Sequence, residues 1–113
     1  MLILFDHGTP RDVARALSEH TVITAYARGW DRLDNGDLLQ AAEDEAVEVL
    51  LTTDQKIRYQ QNLTGRKIAI VVITGTTNWS RVRLYLERIA DAVNAATPGS
   101  CTEVEIPFED DDA

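Results

Sequence analysis

Two carboxylates, Asp6 and Asp54, each follow a short apolar run. The opening run is MLILF (1–5), and the second is VEVLLTT (47–53), which leads directly into Asp54. Runs this short and this rich in Val, Ile and Leu are typical of strands buried on both faces in a parallel sheet. Residues just past such strands lie at their carboxyl ends, where open α/β sheets place their ligands. The pattern therefore predicts that both carboxylates lie at one edge of a sheet.

A third carboxylate, Asp37, is expected at the same edge, because it lies in the first turn of a helix predicted over about 35–46. Carboxylates gathered without basic neighbours repel one another and are tolerated mainly with a cation between them. With one Cys and two His in the chain, hard oxygen ligands favour Mg²⁺ or Mn²⁺ over zinc. Such an ion neutralises a scissile phosphate and activates the attacking water. Asp6, Asp37 and Asp54 are the predicted metal ligands and catalytic residues.

Each of these carboxylates also has a structural interpretation. An Asp after a strand often forms a turn or caps a helix, and an Asp in a first turn stabilises its helix through the dipole. Asp34 is the better candidate for the cap of the helix that contains Asp37. Polar residues in neighbouring loops are candidates for supporting the site or binding substrate; they are Thr53, Asn62, Arg66, Thr76 and Asn78.

The elements that must position these residues alternate along the chain. Strands are predicted at 1–5, 21–25, 47–52 and 67–73, with a fifth, edge strand at 101–106, and helices at about 10–18, 35–46 and 79–96. This alternation predicts an α/β fold whose mainly parallel sheet of four to five strands has right-handed crossovers and helices on both faces. The apolar stripe on the last helix, from Val82 to Val93, is expected to face the core or a homodimer partner.

The length and the charge restrict the class of protein. A chain of 113 residues is expected to form one domain, here assigned to 1–107, followed by a flexible acidic tail at 108–113. The net charge is −8, and setting aside the four acidic residues at 109–112 leaves about −4. That balance argues against a broad electrostatic nucleic-acid surface, although a carboxylate active site is itself negative.

The same composition predicts where the protein works. The chain contains neither an apolar stretch of 18 residues nor a basic leader followed by an apolar run, so we expect a soluble protein without membrane contact. Its single cysteine, Cys101, cannot form an internal disulfide and fits a reducing cytoplasm.

Three stretches within residues 1–90 carry a family resemblance. They read FDHGTP, GWDRLDNGDLLQAAED and LLTTDQKIRYQQNLTGRKIAIVVITGTT, and the TTD…YQQNL…R portion is the most specific. Together they resemble the small bacterial PIN-like proteins, relatives of the PIN nuclease domain found in toxins of toxin–antitoxin pairs. The resemblance implies a PIN-like three-layer α/β/α fold, Mg²⁺ or Mn²⁺ as cofactor and RNA as substrate. It also implies that Asp6, Asp37 and Asp54 match the family's acidic positions.

The chain departs from the family pattern at two places. The usual acidic residue in the middle helix is Glu, whereas this chain has Asp37, which is one methylene shorter. A fourth acidic residue commonly follows the third, whereas here the corresponding stretch offers Gln60, Gln61 and Asn62. These polar residues can hydrogen-bond nucleotide bases or satisfy the backbone of a structured loop.

Two functions follow as expectations. The first is a metal-dependent ribonuclease, a toxin with an antitoxin-like protein as its partner. The alternative is a catalytically weak or inactive PIN-like module that acts through protein–protein interaction. The acidic net charge and the missing fourth carboxylate favour the alternative.

Overall fold

Five parallel strands form a single sheet in the computed structural model, which describes residues 1–57, 63 and 65–108. The strands are β1 (Leu2–Phe5), β2 (Thr21–Thr24), β3 (Val49–Thr52), β4 (Ala69–Gly75) and β5 (Cys101–Ile106). Their order is β2-β1-β3-β4-β5, and every neighbouring pair is parallel. The predicted α/β fold with a mainly parallel sheet, and the predicted edge strand at 101–106, are confirmed.

The helical segments differ in detail from the prediction. Those whose full span is described are the 3-10 helix η1 (Arg11–Leu17), α1 (Asn35–Asp44), α2 (Trp79–Val82), the 3-10 helix η2 (Arg83–Tyr85) and α3 (Leu86–Ala95). Helix α1 ends earlier than predicted because Ala46 takes a left-handed φ of 62°. The N–H of Val47 then bonds the carbonyl of Ala42 at 2.9 Å, which closes the helix end.

The predicted single helix over 79–96 is divided into three segments, and Tyr85 precedes α3 with a φ of −124°, outside the helical range. Across the described ranges, no helix combines the length and the apolarity that crossing a bilayer requires.

Helical segments cover both faces of the sheet, as predicted. Successive residues of a strand point to opposite faces, so Ile3 and Phe5 belong to one core and Leu4 to the other. The first core includes Val13 and Leu17 of η1, Val82 of α2, and Ile89 and Val93 of α3. The second includes Leu38, Leu39 and Ala42 of α1, together with Ile57.

The chain path reverses between β1 and β3. These strands are neighbours in the sheet, but the chain leaves β1 toward β2 on one side and β3 toward β4 on the other. The described parts of the two connections lie on opposite faces, since η1 packs in the first core and Ile57 in the second. Such a reversal leaves a crevice at the carboxyl ends of the two strands, where ligands bind in open α/β sheets.

Candidate functional site

Asp6 and Asp54 lie at this crevice and are joined by one hydroxyl group. Thr52, fully buried at the end of β3, donates its hydroxyl to Asp6 Oδ2 at 2.7 Å. The Thr52 hydroxyl oxygen in turn accepts the backbone N–H of Asp54 at 3.1 Å. Asp6 is also tied to β3 through its own N–H, which bonds the carbonyl of Leu51 at 3.0 Å. The structure therefore brings these two predicted residues together.

The remaining carboxylate oxygens are also held by the chain. Asp6 Oδ1 accepts the N–H of His7 at 2.7 Å. Asp54 Oδ1 accepts the N–H of Lys56 at 2.9 Å, and its Oδ2 accepts the side-chain amide of Asn35 at 2.9 Å. These bonds hold both carboxylates in one orientation. Each carboxylate oxygen has two lone pairs, so each of the four retains the capacity to bind one further partner.

Replacing Thr52 by Val is expected to lower the free energy of unfolding by about 1–3 kcal/mol, because it leaves the Asp54 N–H without its acceptor. Urea denaturation measures this loss. Thr74→Val is the matched control, because Thr74 is a buried threonine of β4 for which we find no side-chain hydrogen bond to a described residue. Equal losses in the two variants would show that the Thr52 hydroxyl is not the link described here.

Asp37 is placed differently from Asp6 and Asp54. Its side chain is exposed, and its N–H donates to Asp34 Oδ1 at 2.8 Å, so Asp34 caps α1 as expected. Within residues 1–57, 63 and 65–108, no three or more His, Cys, Asp or Glu side chains are grouped to hold a metal ion. Asp37 therefore does not form such a group with Asp6 and Asp54. Its role as a ligand stays a prediction.

Thr53 and two residues of the loop after β4 lie at the carboxyl edge of the sheet. Thr53 lies against Gly8, where an added Cβ would overlap the threonine hydroxyl. The hydroxyl of Thr76 accepts the N–H of Asn78 at 3.1 Å, while the N–H of Thr76 bonds the carbonyl of Ile106 at 3.0 Å. These bonds shape the loop beside β3, but in the described part of the chain none of them reaches Asp6 or Asp54.

The other two candidates are not brought to this edge. Arg66 lies just before β4, at the amino end of the sheet, because the strands are parallel and the crevice lies at their carboxyl ends. Its guanidinium forms a half-buried ion pair with Glu43 at 2.8 Å. Asn62 lies outside the described residues.

Two residues of the site, Thr52 and Asn35, were not predicted from the sequence. Asn35 contacts Asp54 from the first turn of α1, the turn from which Asp37 was expected to reach the site. Asp37 lies on a different face of the helix, because residues two apart on a helix do not share a face. Thr52 was assigned only to a strand. Its position at the end of an apolar run was the available signal, since a buried hydroxyl requires a hydrogen-bond partner.

A larger cavity lies far from the paired carboxylates. It measures about 670 Å³ and is lined by Glu43 of α1 and by residues at the amino ends of β3 and β4, including Val49, Lys67 and Ala69. Neither Asp6 nor Asp54 lines it. The cavity therefore lies at the amino edge of the sheet, whereas the two carboxylates lie at its carboxyl edge. We place the candidate site at the carboxyl edge, because the side chains that can bind a cation lie there.

The candidate site consists of Asp6, Asp54, Thr52 and Asn35, held at the reversal of the strand order. The resemblance to PIN-like proteins stays a prediction. Comparison with protein-family models, with curated proteins and with solved structures finds no match to this chain.

Proposed function

We propose that the protein is a Mg²⁺- or Mn²⁺-dependent ribonuclease of PIN-like type. The observation that supports the proposal is that the Thr52 hydroxyl links the carboxylate of Asp6 to the backbone of Asp54 at the crevice between β1 and β3. Ligand sites of open α/β sheets favour this location. The choice of RNA as substrate, and of an antitoxin-like protein as partner in the cytoplasm, rests on the resemblance to PIN-like toxins.

The donor atoms of the site fit a hard divalent cation. Two carboxylates match the preference of Mg²⁺, which usually binds one or two carboxylates and keeps several waters. A third carboxylate is therefore not required, and Asp37 is proposed as an additional ligand. A bound ion would stabilise the charge on a phosphodiester and activate a water molecule.

Thr52 and Asn35 are assigned the role of positioning residues. Their hydrogen bonds to Asp6 Oδ2 and Asp54 Oδ2 hold the carboxylates in place before any ligand arrives. Such outer partners of metal ligands commonly change metal affinity or activity by about 10–100-fold when removed. Thr76 and Asn78 on the neighbouring loop, together with Thr53, remain candidates for contact with substrate.

An RNA-cleavage assay tests the proposal. Wild-type protein with Mg²⁺ or Mn²⁺ is expected to cut single-stranded RNA, and Asp54→Asn is expected to lose at least roughly 100-fold in rate. Asp31→Asn is the control, because it removes one negative charge from an exposed loop residue. Cleavage that persists in Asp54→Asn, or that is absent from the wild type, would contradict the proposal.

The alternative function, an interaction module without turnover, has one observation in its favour. Every oxygen of Asp6 and Asp54 already accepts a hydrogen bond from the chain itself. Aspartates that form turns do this without any metal ion. Wild-type protein that binds a partner chain but cleaves no RNA with either cation would support this alternative.

A further inference from the structure

A second cavity opens beside Asp6, at the carboxyl ends of β1 and β2. Its volume is about 270 Å³, and its lining includes Asp6, His7, Arg11, Thr24 and Tyr26. A neighbouring cavity of about 350 Å³ shares Phe5, Arg11, Thr24 and Tyr26 with it, so the two are adjacent. Phe5 and Arg11 line both cavities, and Asp6 lines the smaller one.

Tyr26 has an exposed ring, and the backbone around it is fixed by hydrogen bonds. Its side chain is 65% exposed, which is unusual for a large aromatic residue. The preceding residue, Ala25, donates its N–H to the carbonyl of Phe5 at 2.9 Å, and the N–H of Gly29 bonds the carbonyl of Tyr26 at 3.1 Å. The hydroxyl of Thr24 accepts the N–H of Ala27 at 3.1 Å. Hydrogen bonds therefore fix the backbone around Tyr26, while its ring remains accessible to ligands.

Arg11 adds a positive charge to the same cavity. It is the first residue of η1 and is exposed. Within the described ranges its guanidinium forms neither an ion pair nor a hydrogen bond, in contrast to Arg28 and Arg66, which pair with Glu45 and Glu43. A guanidinium without a carboxylate partner is available to bind a phosphate through two parallel hydrogen bonds.

We propose that this cavity is a nucleotide subsite, in which a base stacks on Tyr26 and Arg11 contacts a phosphate. The inference rests on the proposed ribonuclease function, and it places one nucleotide of a single-stranded RNA beside Asp6. Single-stranded RNA is recognised by stacking on aromatic rings and arginine planes and by hydrogen bonds to base edges. Asp6, His7 and Thr24 line the cavity with polar groups suited to those edges. Because the backbone around Tyr26 is already bonded, little ordering is needed on binding.

Binding of a fluorescein-labelled single-stranded RNA hexamer, followed by anisotropy at low salt in EDTA, tests this subsite. Tyr26→Ala and Arg11→Ala are each expected to weaken binding by about fivefold or more, because each removes one base-stacking or phosphate contact. Tyr26→Phe keeps the ring and is expected to bind like the wild type. EDTA removes divalent cations, so the readout does not depend on metal-assisted cleavage.

Two substitutions elsewhere serve as matched controls. Phe108→Ala removes another exposed ring, 71% accessible, and Arg83→Ala removes the exposed first residue of η2, as Arg11→Ala does for η1. Both are expected to bind RNA within about twofold of the wild type. Losses in the controls as large as those of the Tyr26 and Arg11 variants, or no binding by the wild type, would overturn the subsite.

Different results would contradict the ribonuclease proposal and the nucleotide subsite. RNA that binds in EDTA through Tyr26 and Arg11 but is never cleaved with Mg²⁺ or Mn²⁺ would overturn the ribonuclease and support the subsite. Cleavage that requires Asp54 but is indifferent to Tyr26→Ala and Arg11→Ala, in rate and in KM, would overturn the subsite alone. All five variants replace exposed side chains, and unchanged melting temperatures will confirm that they fold.

Discussion

Asp6→Asn and Asp54→Asn are each expected to abolish Mn²⁺ binding in a calorimetric titration. The amide keeps the shape of the side chain, but it removes the negative charge and replaces one acceptor oxygen with a donor. Losing either carboxylate removes one of the two charged side chains that the structure brings together through Thr52. We expect affinity to fall at least about 100-fold, beyond the measurable range for a site of ordinary Mg²⁺ or Mn²⁺ type.

The same titration compares these variants with substitutions of two other acidic residues, Asp31 and Asp37. Asp31→Asn is expected to bind Mn²⁺ like the wild type, since it changes the net charge equally without touching the carboxylate pair. Asp37→Asn measures what the exposed carboxylate of α1 adds, and a loss smaller than that of Asp54→Asn is expected. Unchanged binding in both Asp6→Asn and Asp54→Asn would remove the metal ion from the proposal.

Gly75→Ala is expected to lower the free energy of unfolding by about 3 kcal/mol or more. Gly75 ends β4 with a φ of 76°, and an added Cβ would overlap the backbone carbonyl of Ile106 in β5. Both the left-handed conformation and the overlap with backbone atoms penalise a side chain, and neither strand can move without breaking the β4–β5 ladder. Urea denaturation of the variant and of the wild type measures this loss.

Gly29→Ala separates the two causes of that loss. Gly29 has the same φ of 76°, but no atom lies within 4 Å of an added Cβ. This variant is expected to lose only about 1–2 kcal/mol, the cost of the left-handed conformation. Equal losses at Gly29 and Gly75 would contradict the close approach of Gly75 to Ile106.

Local patterns in the sequence predicted most of the strands and the carboxylate pair. The apolar runs ending at Asp6 and Asp54 lie in neighbouring parallel strands, so both carboxylates had to reach one edge of the sheet. The order of the strands could not be predicted in this way, because it depends on pairing between distant segments. Periodicity also did not reveal that η1 is a 3-10 helix, since seven residues are too few to distinguish 3.0 from 3.6 residues per turn.

The partners of the carboxylates were the least predictable part of the site. Asp37 was chosen for its charge, whereas the residue of α1 that contacts Asp54 is the neutral Asn35. Which residue of α1 contacts Asp54 depends on the rotation of the helix about its axis. That rotation is set by the packing of Leu38, Leu39 and Ala42 in the second core. Sequence spacing alone specifies which residues share a helix face, but it does not specify which of them meets a given strand end.

The most direct test of the account is a crystal structure grown in Mn²⁺, with the ion located by anomalous scattering. We expect one strong peak between the carboxylates of Asp6 and Asp54, with both side chains as ligands and Thr52 still bonded to Asp6. A saturating Mn²⁺ concentration that leaves no peak there, while both carboxylates keep only the chain's own hydrogen bonds, would contradict it.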